Sequence, residues 1–453
     1  MNDTNQHYIA IIGGSVAGSE AAHQLANKGF KVVVFDQMRL PYGKIEDGLP
    51  KWHIKLRDKE ENAIDQKLQH PNIRFIPKVR LGRDVAFKSL VEGWGFSAVL
   101  LAIGAWNDRQ LSIPGIEKFT NKGLLYQNQM IKWFNHCHEK DYTGPNFELP
   151  DNAIVIGGGL ASIDVIKIVQ ILTVQRALLK KDIKENIFNL ERGIDRVLDK
   201  HNLSMSDLGL KGATLFYRKS AQDMPLKPYK TEEQREKARI VSEKMLNITK
   251  KRYKFNFSPN SIPVNSIVTL GKLTGIVFQR TKVVDGQSIP IEGSEFEFKS
   301  SMVISSIGSL PEQLKGVPMK KDLLSTTGIG GCRVHGYEHV FALGNAVTGR
   351  GNIKESRDHG RESANRIIEN HLDSKLAQFE TDLRILESKV DRQVDEISKS
   401  IGKSKSISSE AMQEINNKIT KLQKTVGYDE DYFKWKDKVL WERLEGMPDK
   451  MKE

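Results

Sequence analysis

Tyr8-Ile9-Ala10-Ile11-Ile12-Gly13-Gly14-Ser15-Val16-Ala17-Gly18, followed by Lys31-Val32-Val33-Val34-Phe35-Asp36, decides how this chain folds. The first apolar run enters a glycine turn and predicts a buried strand over Tyr8–Gly14. Ser19–Lys28 predicts a helix, and Lys31–Asp36 a second, parallel strand. Gly13 permits the tight turn, and Gly18 lets the helix pack closely on the strand. The helix N-terminus, reached through Gly14, Ser15 and Ala17, then faces a pyrophosphate with its free N–H groups. Asp36, 23 residues after Gly13, is placed to accept ribose hydroxyls. Ser15 departs from the G-x-G-x-x-G pattern by standing where its second glycine would be.

The same arrangement starts again at Ala153–Gly159. Gly157-Gly158-Gly159-Leu160-Ala161-Ser162 follows a predicted strand and opens a predicted helix from about Ser162 to Leu172, with Ser162 at the last glycine position. The strand after it, Thr214–Tyr217, runs into Arg218 and Lys219 instead of an acid. Acids bind the 2′-hydroxyl of NAD, whereas guanidinium and ammonium bind the 2′-phosphate of NADP, so the pair favours NADP. The competing reading is a solvated pair of cations at a strand end.

Further strands are predicted at Ala98–Gly104, Leu273–Gln279, Glu295–Phe298, Met302–Gly308 and His339–Gly344, and a helix near 355–369. The fold expected is α/β, with two Rossmann-like dinucleotide-binding domains and a C-terminal helical hairpin. Residues 1–106 begin the FAD domain, and 107–330 form the NAD(P) domain with a helical insertion at 173–212. Residues 331–370 return to the FAD domain, and 371–453 form the hairpin. Two dinucleotide sites in one chain suggest a flavoenzyme, with FAD at the N-terminal site because the chain returns to that domain.

In the tail, Leu376, Phe379, Leu383, Leu386, Val390, Val394, Ile397 and Ile401 recur every three or four residues. After a Gly402–Ser406 break, Met412, Ile415, Ile419, Leu422 and Val426 do so again. This is the seam of a coiled-coil hairpin, whose partner is the hairpin itself, the body or a second subunit; a homodimer through it is left open.

Composition bounds the rest. Of 453 residues 39% are hydrophobic, enough for real cores. Cys137 and Cys332 are the only cysteines, which excludes a disulfide scaffold and a four-cysteine iron–sulfur site. Electron transfer then needs an organic cofactor, and a reducing compartment, the cytoplasm, is the expected location. The polar Met1–His7 has neither the charge pattern nor the apolar core of a targeting peptide, and no apolar run is long enough for a membrane span. Of the formal charge of +12, residues 371–453 contribute 16 basic against 17 acidic side chains, so the excess lies in the first 370. A basic body suits acidic partners. Nucleic acid is disfavoured, because no stacking motif or recognition-helix signature accompanies the charge.

Residues 7–370 resemble the two-dinucleotide-domain flavoproteins, in particular the adrenodoxin-reductase-like ferredoxin–NADP reductases and the small subunit of glutamate synthase. Pro41-Tyr42-Gly43-Lys44-Ile45-Glu46-Asp47-Gly48-Leu49-Pro50 resembles their loop beside the flavin, and Leu101-Ala102-Ile103-Gly104-Ala105 their crossover strand. Arg109–Gly115 resembles R-x-L-x-I-P-G. Phe341-Ala342-Leu343-Gly344-Asn345-Ala346 is similar to the late F-A-x-G-D motif, with Asn345 in place of the acid. Asn72–Val85 and the insertion lean toward the reductases; Tyr217-Arg218-Lys219 with Met224-Pro225 leans toward the synthase type.

The resemblance implies FAD contacts at Gly43, Gly48, Ala102, Gly104, Gly344 and Asn345, and backbone contacts to the flavin at Gly351, Asn352 and Ile353. It implies an active-site histidine at His53 and a partner glutamate at Glu233, against which stand a buried structural histidine and a solvated helix face. It further implies electron transfer between NADPH and a one-electron carrier, ferredoxin or flavodoxin, by hydride transfer between nicotinamide and flavin. The alternatives are an electron-input subunit of a larger complex, and a scaffold of the same fold without flavin.

Overall fold

The computed structural model describes residues 6–227, 229, 231–327, 331–348, 371–440 and 443–447, leaving aside the side chains of 371–379 and 445. The chain divides into two compact units. The first gathers Met1–Leu49, His53–Asn107 and Ser309–Trp441; the second gathers Pro50–Trp52, Asp108–Gly308 and Glu442–Glu453.

The first unit begins with strand β1 (Tyr8–Ile12), helix α1 (Val16–Asn27), β2 (Lys31–Phe35), the short α2 (Lys44–Gly48), α3 (Ile54–Leu68), β3 (Ile73–Ile76) and β4 (Ala98–Leu101). β1 pairs in parallel with β2 and β4, and β2 in parallel with β3. All five residues of β1 are buried, as a parallel sheet covered on both faces requires. Alternation along β1 sorts its side chains. Ile9 and Ile11 join one core with α1 and α3, while Tyr8, Ala10 and Ile12 join the core on the other face.

The second unit carries β5 (Leu124–Tyr126), β6 (Ile154–Gly157), α4 (Leu160–Leu179), β7 (Thr214–Phe216), α5 (Glu232–Tyr253), β8 (Asn256–Ser258), the long antiparallel strands β9 (Ser261–Thr269), β10 (Lys272–Val284) and β11 (Gln287–Lys299), and β12 (Val303–Ser306). Its parallel sheet has the order β5-β12-β6-β7-β8. The antiparallel strands pack on it through Phe278, whose ring stacks on Phe216 at 3.9 Å between centroids. The helix expected to end at Leu172 runs on to Leu179, because Thr173, Val174 and Leu178 continue its buried face. The rest of the insertion forms two short helices, Ile187–Arg192 and Ile194–Lys200, whose apolar residues join the same core.

The chain returns with β13 (Thr326–Thr327), β14 (Arg333–Val334) and β15 (Val340–Ala342), giving a seven-stranded sheet of order β13-β14-β15-β4-β1-β2-β3. The first unit resumes at Ser309, earlier than the boundary at 331 read from the sequence, because 309–327 packs with the first unit: Leu314, Val317 and Leu324 are in its core. Next come α6 (Asn345–Thr348), α7 (His371–Ile401), α8 (Ser409–Val426) and α9 (Tyr432–Val439). The helix expected over 355–369 lies outside the described residues, as do the side chains of Leu376 and Phe379.

The tail does not close on itself as a separate hairpin domain. Leu383, Val390, Val394, Ile397 and Ile401 of α7 bury into the core that holds Ile9 and Ile11; Met412, Ile415 and Ile419 of α8 bury into the core that holds Ala10 and Ile12. The two halves of the seam thus cover opposite faces of one sheet. Between them lies edge strand β3, where Gln423 donates from Nε2 to the Phe75 carbonyl at 2.9 Å. That bond satisfies a buried group the edge would otherwise leave exposed to pairing. α9 returns to the first face, where Trp435 is 2% exposed and donates to the Arg39 carbonyl at 2.7 Å. The last described residues cross to the second unit, with Leu444 and Met447 in its core.

Candidate cofactor sites

The first glycine turn is dictated by what surrounds it. Gly13 has φ +97°, and a Cβ there would lie 2.4 Å from the Ala102 carbonyl oxygen; a Cβ on Gly18 would lie 1.7 Å from the Gly13 oxygen. Neither position tolerates a side chain. Ser15, at the departed glycine, occupies the N-cap of α1, yet its hydroxyl donates to the Tyr42 carbonyl at 3.0 Å instead of capping the helix. The first turn of α1 has no acidic residue either. An N-terminus that no side chain caps keeps its positive end for an anion.

Asp36 follows β2 and is buried. Its Oδ2 accepts from the Gly14 N–H and its Oδ1 from the Met38 N–H, both at 2.8 Å. Burial pushes its carboxyl up to about 6, against these two bonds, which favour the charged form. Each oxygen keeps acceptor capacity for a ribose hydroxyl.

These groups line one cavity of about 240 Å³. Gly13, Ser15, Ala17, Asp36, Gly43, Ala102, Gly104, Gly344 and Asn345, all expected from the sequence, are in its wall. Gly14 and Gly18 lie in the turn behind it. Gly48, the last residue of α2, does not line it. His53 also lies outside the wall: it is the buried N-cap residue of α3, with its carbonyl accepting from the Arg57 N–H at 3.0 Å. Gly351, Asn352 and Ile353 lie outside the described residues.

The wall also holds residues that the sequence reading passed over. Lys44 donates to Ser309 Oγ at 3.0 Å and lies 5.8 Å from the centre of the Trp106 ring. Arg80 pairs with Glu312 at 2.5 Å. Leu383 and Leu386 come from α7. Lys44 falls within Pro41–Pro50 and Arg80 within Asn72–Val85, so the resemblance carried a signal for both; Trp106 and the two leucines gave none.

The second glycine turn is built on the same plan. A Cβ on Gly157 would meet the Ser306 carbonyl oxygen at 2.3 Å, and one on Gly158 the Tyr217 ring at 2.1 Å, while Gly159 has no atom within 4 Å of its own. Gly159 is the N-cap of α4, with no side-chain cap and no acidic residue in the first turn, where Leu160 and Ala161 stand half-buried. Ser162 is fully buried and donates from Oγ to the Gly159 carbonyl at 2.6 Å. Arg218 presents an exposed side chain, and its carbonyl accepts from Thr281 Oγ1 and Ser288 Oγ at 2.8 and 2.9 Å. Lys219 Nζ donates to the Gly286 carbonyl in the turn between β10 and β11. The two cations thus stand at the C-terminal end of β7, beside a fixed turn.

Glu233 lies exposed in the first turn of α5, next to Glu232 and to the cap Thr231, whose hydroxyl accepts from the Gln234 N–H at 3.3 Å. Acids there favour the helix through its macrodipole, in keeping with the helix-face reading. His53 belongs to the first unit and Glu233 to the second.

A family profile described as pyridine nucleotide-disulphide oxidoreductase matches residues 7–198. The chain is similar to the mitochondrial NADPH:adrenodoxin oxidoreductase of Arabidopsis thaliana, 25% identical over 344 residues that make up 69% of each chain. It is similar to the NADPH-ferredoxin reductase FprA of Mycobacterium leprae, 27% identical over 212 residues, 44% of this chain and 43% of that protein; it thus spans less than half the length of this relative. Among solved structures, FprA of Mycobacterium tuberculosis in complex with NADPH has the same fold, with a TM-score of 0.66 at 18% identity over 92% of this chain and 90% of that one. Residues 7–198 thus match the pyridine nucleotide-disulphide oxidoreductase profile, the α/β fold is shared with FprA, and the chain is similar to adrenodoxin and ferredoxin reductases.

Proposed function

We propose that the chain is an FAD-dependent oxidoreductase that passes electrons between NADPH and a one-electron carrier protein such as ferredoxin or flavodoxin. The observation that carries this reading is the pair of glycine turns. Each opens a helix whose N-terminus no side chain caps, and each is followed by a strand that ends in a different chemistry. The names of the similar proteins point the same way.

In this reading the first unit holds FAD. Gly13 and Gly18 shape the turn, the N–H groups opening α1 meet the pyrophosphate, and Asp36 accepts from a ribose. Gly43, Ala102, Gly104, Gly344 and Asn345 wall the site. The second unit holds NADPH, with Gly157, Gly159, Leu160, Ala161 and Ser162 at the pyrophosphate and Arg218 and Lys219 at the 2′-phosphate. Bound FAD supplies the step from a two-electron donor to one-electron deliveries. His53 in the first unit is assigned to tuning or proton exchange, and Glu233 in the second unit keeps the catalytic assignment that the resemblance implies.

Asn345 can still donate and accept hydrogen bonds where the family has an acid, but it brings no charge. The basic first 370 residues suit an acidic carrier. The two free cysteines suit a reducing compartment, here the cytoplasm, and no helix among the described residues is long and apolar enough to cross a membrane. The described seam positions are buried in, or packed against, the chain's own first unit, which leaves little of the seam for a homodimer through the tail.

The test is NADPH-driven reduction of cytochrome c through added ferredoxin or flavodoxin. Turnover that requires the carrier supports the reading. An FAD-loaded protein that oxidises NADPH but passes electrons to neither carrier contradicts it.

A further inference from the structure

Every wall of the first unit's cavity comes from segments of the doubly wound fold, except one. Leu383 and Leu386 belong to α7 in the tail, three residues apart and so on one helical face. Leu386 reaches the return segment opposite α1: a methyl group added at Gly344 would lie 3.0 Å from Ala17 Cβ and 3.8 Å from Leu386 Cδ1.

α7 is fixed at this height. Arg384 Nη2 donates to both carboxylate oxygens of Glu60, at 2.5 and 2.7 Å, and Lys67 bridges Glu387 at 2.5 Å and Glu20 of α1 at 2.6 Å. Farther along, Val390, Val394, Ile397 and Ile401 are at most 2% exposed. A helix held by partly buried ion pairs and a packed apolar face is a wall, not a loose cover.

We infer that Leu383 and Leu386 are positioning residues of the dinucleotide site: they close its apolar side and set its affinity for FAD, making the C-terminal tail part of the cofactor site. The inference rests on the reading that this cavity takes FAD. Removing both side chains widens the cavity and takes away apolar contact while leaving the turn, Asp36 and the ion pairs in place.

The test uses the full chain, stripped of flavin and titrated with FAD, with flavin fluorescence and the FAD-induced rise in melting temperature as readouts. Leu383→Ala/Leu386→Ala is expected to bind FAD about tenfold more weakly. Val394→Ala, on the same helix but outside the cavity, lowers the melting temperature of the FAD-free chain and leaves FAD affinity within twofold of wild type, roughly the reach of a contact not made. Should the double variant unfold, Leu386→Ala alone carries the test, with a loss of about threefold. Unchanged or tighter FAD binding by the leucine variants overturns the inference; tighter binding would mean that the leucines obstruct the site. A wild-type chain that takes up no FAD at all overturns the functional reading, and the wall with it.

Discussion

The two glycine turns differ in which position is sterically demanding. In both, the first glycine backs onto a carbonyl of a neighbouring strand end, Ala102 for Gly13 and Ser306 for Gly157. At the last position they part: Gly18 presses on the Gly13 oxygen, whereas Ser162 fits with its hydroxyl bonded to the Gly159 carbonyl. At the middle position the roles reverse, with Ser15 tied to Tyr42 in the first turn and Gly159 facing open space in the second. The motif is therefore a set of local clearances, not a fixed string. The two turns also differ at the end of the next strand, a buried carboxyl in the first unit and two cations in the second, which is what the proposed function uses to tell the ligands apart.

The strongest break of this comparison is Gly18→Ala against Ser162→Ala. The first puts a methyl group into backbone and should cost about 3 kcal/mol or more, with loss of flavin from the purified chain. The second removes one hydrogen bond and should cost about 1 kcal/mol, with flavin retained. Chemical denaturation with flavin absorbance checks both. Next in size, Arg218→Ala/Lys219→Ala should lower kcat/KM for NADPH about 100-fold while leaving NADH nearly unchanged, a loss of about 2.7 kcal/mol for the charge-assisted hydrogen bonds of the pair together. An equal loss with both nucleotides would move the 2′-phosphate site elsewhere.

A smaller effect concerns the buried acid. In the proposed site Asp36 would accept from a ribose hydroxyl best as a carboxylate, and burial pushes its carboxyl up to about 6. As pH falls through 6 the accepting form is lost, so FAD affinity should weaken by about tenfold per unit below it. Asp36→Asn should bind more weakly at pH 8 and show no such slope. The raised value also makes the ionised carboxyl a cost to folding: stability from this group is full below its unfolded value near 4 and falls as pH rises toward 6. Smallest of all, Ser15→Gly and Asn345→Asp should each change FAD affinity by only a few-fold (about 1 kcal/mol).

Both turns were legible in the sequence because strand, glycines and helix follow one another within about twenty residues, and nine of the residues expected at the first site stand in its wall. The acid was legible too, since parallel pairing of β1 with β2 puts Asp36 next to Gly14. The tail was half legible. Its apolar spacing foretold two amphipathic helices, but periodicity says that a face is covered, not by what. Leu383 and Leu386 therefore read as coiled-coil seam and stand in a cavity wall. Trp106 has no local pattern at all; it reaches the wall only because β4 ends beside β1. Gly48 and His53 followed a loop resemblance, and the chain turns into α2 and α3 before either meets the cavity.

In the proposed function one chain holds FAD at an acid-terminated turn and NADPH at a cation-terminated one. The most direct test is an anaerobic titration of the purified full chain with NADPH and, in parallel, NADH, followed by visible absorbance. The expected result is a yellow protein whose flavin bands bleach at far lower NADPH than NADH concentration. A colourless protein that added FAD does not turn yellow, or bleaching by NADH in preference, would contradict it.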